Sequence, residues 1–387
     1  MAKLRIYLDY NATAPLRAEA ARAVSEALAA GGNASSVHAE GRAARAVIEK
    51  ARRQLAQFIG CSETQITFTS GGTEANVLAL TPSLHKAGEA ARVTRLLVSA
   101  IEHPSVLAGH RFPADRIEAI PVLESGRVDV DWLKKRLSVL GEEETVLVSV
   151  MLANNETGII QPVGEIVDLV HGFGGFVHSD AVQAAGKLPV DFVRLGVDMM
   201  SVSAHKIGGP QGVGALIAAD GLVLGEPVLR GGGQEGGHRA GTENLAGIAG
   251  FGAAAEAAAE LADRVRIEGL RDELESGICR IAPGTAIIGR NTERLGNTAC
   301  FCPPGGSAET LVIAFDLAGV AVSSGSACSS GKVSESHVLA AMGLAPEMTG
   351  AAVRASLGWQ TSKADIGRFL EVWADIWARV GIQASAA

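Results

Sequence analysis

Apolar residues along the chain fall into runs of two kinds. Short β-rich runs (QITFTS, RLLVSA, TVLVSV, GGFVHSD and DMMSVS) alternate with longer helical stretches, among them Glu74 to Lys86 and Val163 to Val170. That alternation predicts β-α units and a mostly parallel mixed sheet flanked by helices. Glycine and proline mark the turns, as at Gly71-Gly72, Gly208-Gly209-Pro210 and Gly231-Gly232-Gly233. From about Thr242 to Ile281 an Ala-rich segment reads as one long helical pattern with charges on one side, a bridge out of the sheet.

Beyond the bridge the pattern predicts a strand at Thr298 to Cys302, a helix at Ala308 to Ala318, the small-residue segment SSGSACSSG, and a helix near His337 to Met342. A strand at Val353 to Leu357 and a last helix from near Lys363 follow. These elements suit a compact α+β lobe, and the first residues, with their strand-like IYLDY, belong beside it. The fold expectation is therefore α/β: a large domain over 14–258, and a small α+β domain made of 1–13 and 259–387 that carries a loop at about 322–334.

A chain of 387 residues is long enough for two lobes and a cleft between them. Its 47% hydrophobic and 20% charged residues describe a globular protein with a sizeable core. The net charge of -8 and the lack of Lys/Arg runs interleaved with aromatics argue against nucleic acid as a partner. No secretory or transit pattern opens the sequence, and no apolar run approaches the ~20 residues that span a bilayer, so a cytoplasmic protein without a membrane partner is expected. The five cysteines are too few and too irregular for a disulfide framework. Cys300 and Cys302 alternate in TACFC, which puts both on one strand face as core residues; no second Cys/His pair completes a zinc site, and no metal is expected.

Candidate chemistry gathers at strand ends. Lys206 follows the strand DMMSV in SAHKIGGP, where Ser203 and His205 share one face of an extended segment and can both donate to a phosphate. Alone, such a lysine is more often an ordinary solvated surface residue. A pyridoxal-phosphate (PLP) site also needs an acid to keep the pyridine nitrogen protonated, since the protonated ring draws electrons from the substrate carbon. Asp180, at the end of FVHSD, fits that need, with Gln183 three residues further on; the alternative is an Asp that caps the next helix. Gly72 and Thr73 in SGGTE begin a helix after a strand, where backbone amides favour an anion. His103 in IEHPSV can stack on a ring and shuttle protons, Asn155 lies in ANNETG, and Arg354 in AVRASLG can clamp a carboxylate. A core histidine, an Asx turn and a surface ion pair are the corresponding structural readings.

Cys328 differs from the other cysteines because serines, glycines and Ala327 surround it. Such a wet, flexible segment suits a nucleophile. An unperturbed thiol is only a few per cent ionised near neutral pH, so a basic neighbour is required; His103 is the first candidate and His337 the second.

Taken together, the blocks YLDYNATAP, FTSGGTEAN, EHPSV, NNETG, HSDAVQAAGK, SAHKIGGPQGVG, RAGTEN, SSGSACSSG and VRASLGW resemble the cysteine desulfurases of the nitrogen-fixation and iron-sulfur-assembly type, within the class V aminotransferases of PLP fold type I. The resemblance runs through the whole chain. It implies that Lys206 carries PLP, Asp180 bonds the pyridine nitrogen, Gln183 and Asn155 contact the phenolic oxygen or substrate, and His103 stacks on the ring. Thr73, Ser203 and His205 would bind the phosphate, and Thr242 would add one contact from the partner subunit of a homodimer with shared active sites. L-cysteine would yield L-alanine and a persulfide on Cys328, passed to an iron-sulfur scaffold or sulfur-carrier protein; Cys328 could ligate an iron-sulfur cluster transiently. Arg354 stands 26 positions after Cys328, which resembles the longer form of this interval in the family. Ser329 departs from the threonine common in relatives. A selenocysteine lyase or aminotransferase on the same fold, and a non-catalytic scaffold, remain alternative readings that Cys328 and Lys206 separate by experiment.

Overall fold

The computed structural model describes residues 5–89, 92–141, 143–260, 262–325 and 335–384. Its centre is a seven-stranded sheet in the order Ile66–Thr69, Gly214–Ala218, Met199–Ser203, Phe176–Asp180, Val146–Ser149, Arg95–Ser99 and Ile117–Ile120. The last five strands run parallel, and Gly214–Ala218 is antiparallel to both its neighbours. The central strands are buried on both sides, because alternate residues feed two cores. Leu97, Val148, Val177 and Met200 pack with the helices on one face, while Leu96, Leu147, Phe176 and Met199 pack with Ala75, Leu78 and Ala79 on the other. This double coverage explains why the strands read as near-continuous apolar runs.

Helices Ala18–Ala30 and Ala39–Ile59 both pack on Leu245–Ala258. Small residues permit the close approach: a Cβ on Gly252 would sit 2.6 Å from Ala51 Cα.

A second core forms around a four-stranded antiparallel sheet ordered Ala286–Ile287, Thr298–Cys302, Val353–Ser356 and Ser323–Ser324. Phe315 stacks on Phe369 and Trp373 there, at centroid distances of 4.8 and 5.9 Å. Leu8 joins this core, and the strand Ile6–Tyr7 pairs in parallel with Val320–Ala321. Thus the N-terminal segment lies beside the C-terminal part of the chain. Alternation on Thr298–Cys302 sends Ala299 and Phe301 into this core and both Cys300 and Cys302 into an apolar cluster on the opposite face.

Two helix expectations need correction. The stretch Glu74 to Lys86 is a helix only over Gly72–Ala79, after which His85–Lys86 pairs as a strand. Pro82 explains the stop, since it biases the preceding residue away from helical geometry. The bridge from Thr242 to Ile281 is two helices, Leu245–Ala258 and Arg264–Ile281. No proline or glycine marks the break; the first helix is committed to the large sheet's core and the second, through Leu270, Leu274 and Ile278, to the other.

Candidate active site

Four adjacent parallel strands end at one cleft. The carboxyl ends of Arg95–Ser99, Val146–Ser149, Phe176–Asp180 and Met199–Ser203 lead to His103, Asn155, Asp180 and Lys206 respectively. Open α/β sheets bind ligands at this edge, where loops diverge and side chains converge. Here the cavity has a volume of about 320 Å³, at the small end of ligand clefts. Gly72, Thr73, His103, Asn155, Asp180, Gln183, Ser203, His205, Lys206 and Arg354 all line it.

Asp180 is buried, with one carboxylate oxygen accepting from Val182 N at 2.9 Å and the other from Asn76 Nδ2 at 2.8 Å. The first contact is a local turn of the kind anticipated for a cap, although no helix follows. The second ties the acid to the first helix after the sheet's edge strand. Asn76 Nδ2 also donates to Ser105 Oγ at 2.9 Å, leaving Asn76 Oδ1 buried without a partner among the described residues.

His103 caps the short helix Pro104–Leu107: its Nδ1 accepts from Ser105 N at 3.1 Å and lies 2.7 Å from Ser105 Oγ. Because a backbone N–H can only donate, Nδ1 is the acceptor, and the neutral ring carries its proton on Nε2. Burial, aided by Lys206 and His337, pulls the imidazole below its ordinary pKa against an opposing effect of Asp180. His337 begins the helix His337–Ala341 and donates through Nε2 to the Glu102 carbonyl at 3.0 Å.

Lys206 lies in the single turn Ala204–Lys206, and its Nζ donates to the carbonyls of Asn11 and Ala12 at 2.6 and 2.8 Å. Asn11 is a junction. Its carbonyl also accepts from Gln183 Nε2, its Oδ1 from Lys187 Nζ and Asn297 Nδ2, and its Nδ2 donates to Thr298 Oγ1 and the Asn155 carbonyl. The N-terminal segment is thereby bonded to both sheets immediately beside Lys206.

Helix Gly72–Ala79 presents its first amides without a side-chain cap, next to Thr73, Ser203 and His205. A Cβ at Gly72 would approach Val182 Cγ2 to 2.9 Å, so the backbone is held close to the cleft wall. These open donors suit a phosphate. His205 bonds Thr13 Oγ1 through Nδ1 at 3.2 Å; burial and then the neighbouring lysines hold it neutral, with a pKa of about 4. Asp180, the open helix terminus at Gly72 and Lys206 line one cavity and are chemically suited to a phosphorylated pyridine aldehyde.

Arg354 lies within the strand Val353–Ser356 and is buried. Its Nη1 donates to the Asn155 carbonyl at 3.0 Å and its Nη2 to Asp9 Oδ1 at 2.8 Å, while Nε has no partner among the described residues. Thr242 is exposed and does not line the cavity. Cys328 lies outside the described residues. Among the described residues no group of three or more His, Cys, Asp or Glu side chains is placed to hold a metal ion, and no helix is long and apolar enough to cross a membrane.

Residues 6–369 match the family described as aminotransferase class-V. The chain belongs to that family. Within it, the chain is 42% identical over 374 residues to a cysteine desulfurase of Cereibacter sphaeroides, covering 95% of this chain and 94% of that relative. A NifS-like protein from Rickettsia africae superposes with a TM-score of 0.87 at 34% identity, over 97% of this chain and 99% of its own. The structure of SspA in complex with cysteine superposes with a TM-score of 0.76 at 28% identity, over 91% and 98%. This class-V chain is thus a full-length relative of cysteine desulfurases, with the α/β fold of the NifS-like proteins.

Sequence reasoning about this class-V site passed over Asp9, Asn11, Asn76 and Ser105. Three of them stand in the blocks YLDYNATAP and FTSGGTEAN. Asn76 follows Gly72 by one helical turn, a spacing that puts both on the cleft side, and that signal was available. The roles of Asp9 and Asn11 depend on contacts across hundreds of residues and left no local mark.

Proposed function

We propose that this chain is a PLP-dependent cysteine desulfurase: L-cysteine and the Cys328 thiol give L-alanine and a persulfide on Cys328. The observation that carries this reading is the convergence of Lys206, Asp180, His103 and Arg354 on one cavity at the ends of the parallel strands. In the balance of atoms, a sulfur-sulfur bond forms at Cys328, the carbon-sulfur bond of the substrate breaks, and the thiol proton is transferred to the alanine product.

Bound PLP supplies an electron sink for the pair released at the substrate carbon. Lys206 would hold it covalently, Asp180 would keep the ring nitrogen protonated, and Gln183 and Asn155 would meet the phenolic oxygen or substrate. The amides at Gly72 with Thr73, Ser203 and His205 would bind the phosphate, and Thr242 would reach it from the second subunit of a homodimer. Asn11 and Ala12 give the Lys206 amine a fixed hydrogen-bonded position. His103 offers its Nε2 proton to the cleft, Arg354 orients the substrate carboxylate, and Cys328 is the acceptor of sulfur. A cytoplasmic location and delivery of the persulfide to an iron-sulfur scaffold or sulfur-carrier protein complete the reading.

The test is to supply L-cysteine and a reductant to the purified holoenzyme and follow alanine and sulfide together. Equal yields from the wild type, with loss of both in Cys328→Ser and in Lys206→Ala, are expected. Retention of full activity by Cys328→Ser would overturn the desulfurase reading, because transamination needs no thiol.

A further inference from the structure

Arg354, the group assigned above to the substrate carboxylate, is already paired with a carboxylate of this chain. Asp9 Oδ1 accepts from Arg354 Nη2 at 2.8 Å, with side-chain exposures of 16% for the aspartate and 3% for the arginine. The other Asp9 oxygen accepts from Ser323 Oγ at 2.9 Å. Ser323 and Arg354 are register partners on adjacent antiparallel strands, which aims both side chains at the same aspartate. Arg354 lines the cleft, and Asp9 does not.

Counting donors shows what remains for a ligand. Of the five guanidinium hydrogens, one is given to Asp9 and one to the Asn155 carbonyl, whereas Nε is unpartnered among the described residues. An entering carboxylate therefore meets a guanidinium whose charge is partly neutralised from behind. A buried arginine facing an empty cleft with no counter-ion would hold any small carboxylate, product included, more firmly.

The geometry points to Asp9 as a positioning residue that acts through Arg354: an internal counter-ion that competes with the amino-acid carboxylate and so limits how tightly substrate and product are held. This inference rests on Arg354 being the carboxylate clamp. Ser323 tunes the competition, because its hydrogen bond stabilises the Asp9 charge and lessens the aspartate's demand on the guanidinium. Ser323 also stands five positions before Cys328 in the sequence, so the same aspartate bonds both the clamp and the strand that leads to the sulfur acceptor.

The experiment measures equilibrium binding of L-alanine to the holoenzyme by calorimetry, beside L-alaninamide, which lacks the carboxylate. Asp9→Asn should tighten alanine about tenfold and leave alaninamide unchanged, a difference on the order of 1.4 kcal/mol for that fold-change. Ser323→Ala, which keeps both charges, should weaken alanine about two- to threefold, the opposite sign. Steady-state kinetics should split accordingly, with Asp9→Asn lowering KM and, through slower product release, kcat. Arg354→Gln is the control for the underlying reading: unchanged discrimination between alanine and alaninamide would show that Arg354 is not the clamp. If Arg354→Gln loses that discrimination while Asp9→Asn weakens alanine or leaves it unchanged, Asp9 merely supports the arginine and the competition is refuted on its own.

Discussion

Asn76 donates one amide hydrogen to Asp180 at 2.8 Å and sends the other to Ser105, which in turn contacts His103. The acid that would bond the PLP ring nitrogen and the histidine that would stack on the ring are thus connected through two neutral side chains. Removing the link withdraws a donor from a buried carboxylate, where a hydrogen bond to a charged group is worth roughly 1.5–3 kcal/mol. Asn76→Ala is expected to lower the rate of alanine formation on the order of tenfold or more, and Asn76→Asp further, because a second carboxylate would face Asp180. Wild-type rates in Asn76→Ala would show that the link is structural only.

The pH dependence of kcat/KM should report His103. Its pKa is lowered by burial first and further by the neighbouring Lys206 and His337, against Asp180, so the neutral ring persists below the ordinary histidine value of about 6.5. His337 is one of those neighbours. Replacing it in His337→Asn should therefore raise the His103 pKa and move the acidic limb of the profile to higher pH. A limb that stays in place or moves the other way contradicts the assignment of that limb to His103.

Glu156 is buried beneath the end of the strand Ser323–Ser324, where Ser336 donates to its Oε2 at 2.5 Å. Burial raises its carboxyl from 4.5 to about 7. Between those values the folded protein keeps a proton that the unfolded chain has released, so stability falls as pH rises through that window. Glu156→Gln keeps the Ser336 contact and cannot ionise. Its melting temperature should match the wild type near pH 4 and exceed it at pH 8, by an amount that corresponds to ~2 kcal/mol or more. Equal melting temperatures at both pH values would refute the buried-proton account.

Thiol reactivity should separate the cysteines. Burial pushes Cys61 and Cys302 up to about 12 and Cys300 well above the ordinary thiol value, so none of the three supplies appreciable thiolate near neutral pH. Brief alkylation of the folded protein with iodoacetamide, followed by peptide mapping, should label Cys328 at least tenfold faster than these three. Preferential labelling of Cys300 or Cys302 would contradict the packing described for that strand.

The strands were legible because each is a short apolar run closed by a polar residue that the sheet edge then uses: Asp180 ends FVHSD, and Ser203 leads to Lys206. The alternation in TACFC likewise told where Cys300 and Cys302 would point. Break points were less legible. The helix that ends at Ala258 carries no breaker, and only its commitment to one core while Arg264–Ile281 serves another ends it there. Asn11 and Asp9 were illegible as site residues for a related reason. Their partners, Lys206, Gln183, Thr298, Arg354 and Ser323, are distant in sequence and adjacent only after two sheets have formed.

The central claim is that sulfur passes from L-cysteine to Cys328. Its most direct test is peptide mass spectrometry of the holoenzyme after one brief exposure to L-cysteine without reductant, with alanine measured in the same sample. One added sulfur atom on the peptide that contains Cys328, matched by one alanine per site and reversed by reductant, is the result predicted. Alanine formed with no sulfur on that peptide, or sulfur carried only by another cysteine, would contradict the account.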